Sequence, residues 1–210
     1  MSRETTYLIR RVDGALVEAA ILGGLRSLDL ELVERAWIAK RQEMLRGLVA
    51  QGAPQTAWPQ SLHWNWAAKA PDLKLLARYG YAIECEAEFQ GAMLLDLASH
   101  FADLEGDRGK PLVYIDYLEA APWNWDCEEL SQERTFRGVG QILFQKAVEH
   151  SRDEGFQGRV GLHALPQAER FYEQACGMTR FGPDPNKERL VYFELSRAAA
   201  AKRLKTEDEQ

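Results

Sequence analysis

Apolar and polar positions divide the 210-residue chain into a readable series of elements. Thr6 to Arg10 predicts a short strand, and Ala15 to Leu22 a helix begun by Asp13 and stopped by Gly23-Gly24. A long helix follows, capped by Ser27 or Asp29, with Leu30, Val33, Trp37, Met44 and Leu48 in helical phase and Gly52 and Pro54 at its end. Residues 53–72 break the pattern: Pro54, Pro59 and Pro71 forbid one continuous helix, while Trp58, His63, Trp64 and Trp66 concentrate aromatic surface. This insert is read either as an acceptor pocket or partner surface, or as a cover for the sheet edge or the long helix. Asp72 to Arg78 suggests one or two further helical turns.

Ile83, Cys85, Ala87 and Phe89 alternate with Glu84, Glu86 and Glu88, the mark of a half-buried strand. Gln90-Gly91 is the expected turn and Met93 to Leu97 the returning strand of a hairpin. A polar loop, 100–110, leads to the nearly continuous apolar run Leu112 to Ala120, expected as a strand buried on both faces. After a loop from Pro122 to Phe136, Val139, Ile142, Leu143 and Ala147 form one apolar helical face, with Gln141, Gln145, Glu149 and Arg152 opposite and Gly155 as the stop. Gly158 to Ala164 is a strand and Gln167 to Ala175 a short helix. Phe181 and Leu190 to Leu195 are the last strands, separated by the turn 182–186. Residues 197–210 read as a charged tail, a frayed helix or disorder.

Composition narrows the classes. At 46 % hydrophobic the chain can bury one core, so residues 1–196 are expected to be a single domain. No apolar run is long enough for a bilayer, and Met1 to Thr6 lacks the apolar core of a signal peptide. Cys85, Cys127 and Cys176 are too few and scattered for a disulfide framework or a zinc cluster, and His63, His100, His150 and His163 have no neighbour at metal-ligand spacing. A cytoplasmic protein without metal is expected. The net charge of −6 argues against a general nucleic-acid binder.

Chemistry is signalled at Arg137 to Leu143. Gly138 and Gly140 permit a tight turn into the helix that follows, and the first N–H groups of that helix would converge on one point, as anion sites require. The nucleotide-triphosphate loop is excluded because no Lys-Ser or Lys-Thr follows the last glycine. The dinucleotide fingerprint is excluded because Leu143 stands where its third glycine belongs.

The turn resembles the acetyl-CoA loop of the GNAT superfamily of N-acetyltransferases, Gln/Arg-x-x-Gly-x-Gly/Ala, with Arg137, Gly140 and Ile142 at its defining positions. Ile142 departs from the small residue usual there. Leu112 to Ala121 before Pro122 resembles the family's fourth strand, and Gly158 to Ala164 its fifth. Ala168 and Tyr172, followed by Gly177-Met178, resemble its Ala-x-x-x-Tyr helix, although Leu165 replaces the usual asparagine and Gly177 arrives one residue late. The resemblance spans roughly residues 80–196.

It implies an α/β domain whose mixed, mostly antiparallel sheet carries helices on both faces and splays between the family's fourth and fifth strands. It implies N-acetylation of an amine by direct attack in a ternary complex with acetyl-CoA as co-substrate. Arg137, Gly138, Val139, Gly140, Gln141 and Ile142 would take the phosphates, and Leu118, Glu119 and Ala120 the pantetheine, with the Ala120 N–H as an oxyanion donor. Tyr172 would protonate the departing thiolate. Asp116 and Glu119 are the candidate bases, with His163 as a third that can equally be a hydrogen-bonded core histidine.

The acceptor class rests on charge. Asp116, Glu119, Asp126, Glu128, Glu129 and Glu133 lie between Pro111 and Glu133 with no Lys or Arg among them, and Trp123 and Trp125 lie within the same stretch. A cationic small-molecule or peptide amine is therefore expected. The rival readings are a non-catalytic CoA-binding or regulatory interaction domain, and a toxin-like acetyltransferase acting on aminoacyl-tRNA. Oligomeric state is not encoded in any feature of the sequence.

Overall fold

The computed structural model describes residues 1–208, with side chains through Lys205. It divides into two compact units, one of Met1–Met93 with Leu118–Leu143, the other built from Leu94–Tyr117 and the chain from Phe144 onward.

The first unit opens with β1 (Ser2–Arg10) and β2 (Leu16–Gly23), antiparallel in register from Ser2↔Gly23 to Ile9↔Leu16. The helix expected over Ala15 to Leu22 is therefore a strand. Asp13, read as its cap, instead accepts the Ala15 N–H at 3.0 Å inside a hairpin turn completed by Gly14 at φ +70°. Ala19 to Gly23 is buried throughout, and residues 19–23 also pair with β3 (Arg78–Cys85). Sheet pairing on both edges overrides the helical propensity of alanine and leucine.

Helix α1 (Ser27–Ala50) begins with a capping box in which Asp29 accepts the Arg26 N–H at 2.8 Å. Leu30, Val33, Trp37, Met44 and Leu48 are all buried, as their spacing predicts. The insert follows as 3₁₀ turns at Gln55–Ala57 and Ala67–Lys74. Trp58 packs with Met44, Leu48 and Cys127, and Trp66 meets Trp37 edge-on with centroids 6.0 Å apart. These two tryptophans thus cover the long helix.

The hairpin turn lies earlier than Gln90-Gly91. It is made by Glu86 and Ala87 at φ +53° and +63°, and the returning strand β4 (Glu88–Asp96) already contains Gln90 and Gly91. Left-handed backbone at two residues with side chains costs about 1–2 kcal/mol each, so no local signal marks the turn. A further strand absent from the sequence reading, β6 (Phe136–Arg137), pairs with β1 at Ile9 and Arg10. Within this unit the strand order is β6-β1-β2-β3-β4, continued by the last residues of β5 (Val113–Ala120).

Helix α2 (Val139–Asp153) begins in the first unit and ends in the second. In the second unit the order is β5-β7-β9-β8, with β7 (Val160–Ala164), β8 (Thr179–Pro183) and β9 (Val191–Leu195). Strand β5 pairs with β7 in parallel only over Val113↔Val160, Tyr114↔Gly161 and Ile115↔Leu162. Beyond Ile115 both strands continue without further pairing to each other, which is the expected splay. Strand β9 pairs antiparallel with both β7 and β8.

Residues 166–175 form a 3₁₀ turn and then a π-helical turn, Phe171–Ala175. A π turn holds more residues than an α turn, which accounts for the late arrival of Gly177, itself left-handed at φ +69°. The residues read as a tail form α3 (Arg197–Asp208), seated by the buried Ala200. Glu209 and Gln210 lie outside the described residues.

Candidate active site

The glycine turn is built from the strand side. Arg137 closes β6, Gly138 adopts φ +97°, and Val139 opens α2. A Cβ at Gly138 would meet only ordinary contacts, Ile142 Cδ1 at 3.7 Å and Leu8 Cδ2 at 4.0 Å, so glycine is required there for its dihedral. The Ile142 N–H donates to the Gly138 carbonyl at 2.9 Å, starting the helical ladder. The N–H groups of Val139, Gly140 and Gln141 precede that ladder and lie at the positive end of the helix dipole.

Gly91 explains how this turn is held. A Cβ on Gly91 would collide with Val139 Cγ1, stand 3.0 Å from Leu143 Cδ1 and 3.2 Å from the Glu119 carbonyl. The first turn of α2 therefore rests directly on the β4 backbone beside the end of β5. Read from sequence as a hairpin turn, Gly91 serves instead for close approach.

The loop before the turn is ordered by polar contacts. Asn124 Nδ2 donates to Gln90 Oε1 at 2.9 Å, Trp123 Nε1 donates to the same oxygen at 2.8 Å, and Asn124 Oδ1 accepts the Phe136 N–H at 2.9 Å. Trp125 Nε1 donates to the Ala120 carbonyl at 2.8 Å. The loop is also less acidic in effect than its sequence suggests. Asp126 pairs with Arg134, and Glu133 pairs with Arg11 at 2.8 Å, so both carboxylates already have a cation.

Glu119, at the end of β5, is 3 % exposed. Its Oε2 accepts Nη2 of Arg41 at 2.8 Å and Nε1 of Trp66 at 2.6 Å. Arg41 Nη1 also donates to Glu34 Oε2 at 3.0 Å and to the Trp64 carbonyl at 2.7 Å, and Glu34 Oε2 accepts the Trp66 N–H at 2.8 Å. Burial pushes the Glu119 carboxyl up to about 7, while Arg41, Trp66 and Ser61 pull it down. Its Oε1 accepts no hydrogen bond.

Of the other candidate bases, Asp116 is half-buried on β5 just past the last β5–β7 pair. His163 is the hydrogen-bonded core histidine of its alternative reading: Nδ1 lies 2.6 Å from Tyr114 Oη and Nε2 3.2 Å from Asp184 Oδ2. Tyr172, in the second unit, is buried among Phe144, Phe171 and Phe193, with ring centroids 6.3, 5.0 and 6.2 Å away. Burial raises its phenol well above the ordinary value.

Sequence reasoning missed Glu34 and Arg41. Their signal was present, because both fall in phase with Leu30, Trp37, Met44 and Leu48, and charged residues on a buried stripe require partners.

No family model matches the sequence, and no curated protein does. Solved structures do match. An acetyltransferase of the GNAT family from Listeria monocytogenes superposes with TM-score 0.51 at 14 % identity, covering 90 % of this chain and 99 % of that one. A protein described as a GNAT-family acetyltransferase from Desulfovibrio desulfuricans gives 0.52 at 14 %, covering 85 % and 99 %. This chain has the GNAT fold. A structure described as a bacterial toxin gives 0.52 at 18 % identity over 70 % of this chain and 80 % of that one. Among the described residues, no helix is long and apolar enough to cross a membrane.

Proposed function

We propose that this protein is an N-acetyltransferase that moves an acetyl group from acetyl-CoA to an amine by direct attack in a ternary complex. The observation that carries the reading is the seat of α2. Gly138 delivers the chain to the helix N-terminus in a left-handed conformation, and Gly91 lets that terminus rest beside the Glu119 carbonyl. Pyrophosphate fits such a terminus, which offers unpaired N–H groups and no bulky side chain at Gly138 or Gly140. Arg137, exposed at the end of β6, adds a positive charge.

In this reading the amine nitrogen attacks the thioester carbonyl, the C–S bond breaks and an amide forms. The proton on nitrogen passes to Glu119, with Asp116 as the other candidate base. Tyr172 returns a proton to the CoA thiolate. The Ala120 N–H polarises the carbonyl oxygen, and the bond from Trp125 to the Ala120 carbonyl holds that peptide in place.

The acceptor we infer is cationic. Glu128 and Glu129 supply negative charge near the loop, although the pairing of Asp126 and Glu133 with arginines weakens this support. The test is thiol release from acetyl-CoA across polyamines, aminoglycosides, basic peptides and aminoacyl-tRNA. The last is included because one fold neighbour is a toxin. Release with an amine, and none without, is the expected result; binding of acetyl-CoA without release in any arm would favour a non-catalytic CoA-binding domain.

A further inference from the structure

The buried network around Glu119 joins three segments far apart in sequence. Helix α1 gives Glu34 and Arg41, the 53–72 insert gives the Trp64 carbonyl together with the N–H and indole of Trp66, and β5 gives Glu119. Glu34, Arg41 and Glu119 are 8, 5 and 3 % exposed, so none is solvated enough to be placed by water. An arginine shared by two buried carboxylates is costly to assemble, and the cost is met only where geometry is fixed. Arg41 and Trp66 both reach Glu119 through Oε2, the Ser61 hydroxyl also favours the ionised form, and Oε1 is buried and accepts no hydrogen bond.

We propose that Arg41 and Trp66 are positioning residues for Glu119, which hold its carboxylate through Oε2 and favour its ionised form, leaving the buried Oε1 as the oxygen with no hydrogen bond to give up before it takes a proton. The role of Glu119 as base rests on the acetyl-transfer reading above; the control of its position and ionisation by α1 and the insert does not. The insert thereby acts on the chemistry through Trp66, in addition to covering α1.

The charges that bear on Glu119 come from each element packed against it. Arg41 and Glu34 lie on α1. Lys69 lies on the insert, where its ammonium sits 5.3 Å from the Trp64 ring centroid and feels the Glu119 charge. Arg41 and the Trp66 indole both favour the ionised carboxylate, so removing either raises the pH at which Glu119 loses its proton.

The experiment compares the wild type, Arg41→Gln, Arg41→Lys, Trp66→Phe and the charge-balanced pair Arg41→Gln/Glu34→Gln. Two readouts are taken on the full chain. One is the titration of the Glu119 carboxyl by ¹³C NMR, assigned with Glu119→Gln. The other is the pH profile of kcat/KM for thiol release from acetyl-CoA with spermidine.

Arg41→Gln is expected to move both the titration and the acid limb upward by about 1–3 pH units, a loss of about 10–1000-fold on that limb. Arg41→Lys should restore most of this, and Trp66→Phe should give a smaller shift of the same sign. Should Arg41→Gln not fold, the paired variant and Trp66→Phe carry the comparison. An unmoved Glu119 titration in folded variants overturns the proposal. A titration that moves as expected upholds it even where no thiol is released, an outcome that would count against the acetyl-transfer reading alone.

Discussion

Trp66 Nε1 stands 2.6 Å from Glu119 Oε2, joining the middle of the insert to the last residues of β5 across 53 positions of sequence. Because the indole N–H can only donate, it stabilises the carboxylate more than the acid. The contact therefore bears on which protonation state Glu119 holds, and so on its use as the proposed base.

Glu119 is raised to about 7, so it is protonated below that pH and ionised above it. A base must be ionised to accept a proton, hence kcat/KM should rise with pH through about 7 and level off. Glu119→Gln should lower kcat/KM by about 10²–10⁴-fold and abolish this limb. If the limb persists in Glu119→Gln, the base lies elsewhere, and Asp116→Asn is then the variant to compare.

The seat of α2 predicts two effects on cofactor binding. Gly91→Val should push Val139 and Leu143 off β4, costing about 1–3 kcal/mol of stability together with affinity for acetyl-CoA. Gly140→Glu should keep the fold and lose affinity, since it places a carboxylate where phosphates are proposed to bind. Calorimetry on variants with wild-type circular dichroism decides, and unchanged affinity in Gly140→Glu would remove the phosphate assignment.

Tyr172→Phe separates two roles. The ring packs among three phenylalanines, and phenylalanine preserves that contact. A general acid loses about 10²-fold in kcat with acetyl-CoA affinity unchanged. A pure packing residue would leave kcat intact and shift only the melting temperature.

For the acceptor, Glu128→Gln/Glu129→Gln should raise KM for a polyamine several-fold, and added salt should raise it in the wild type by screening the same attraction. Asp126→Asn should change KM less, because its charge is already engaged by Arg134. Equal effects from all three positions would mean that bulk charge alone is felt.

How far the sequence could be read depended on where each element's cause lay. Helix α1, helix α2 and the strand Val113–Ala120 carry their periodicity within themselves, and so does the glycine turn at 138. Strand β2 does not. Its alanines and leucines are strand only because β1 and β3 flank them, and the hairpin at Glu86-Ala87 uses left-handed residues that no local rule favours. The same distinction divides the site. The turn from Arg137 to Ile142 is contiguous and its glycine conformation was legible, whereas the link from Arg41 to Glu119 spans 78 positions and exists only after folding. Its one trace in the sequence was charge on the apolar stripe of α1.

Helix α3 carries a consequence for how the chain can be handled. Arg203 donates from Nε to Gln145 Oε1 at 2.7 Å and from Nη1 to the Cys176 carbonyl at 3.3 Å, and its guanidinium lies 5.2 Å from the Phe144 ring centroid. It thus staples the residues just after Tyr172 to α2, while Ala200 fills the notch over Gly158. A chain trimmed after Ser196 would lose this brace, and the aromatic cage around the phenol would face water from a new side. Proteolytic trimming during purification would remove the contact, and a lowered melting temperature would then report the missing helix.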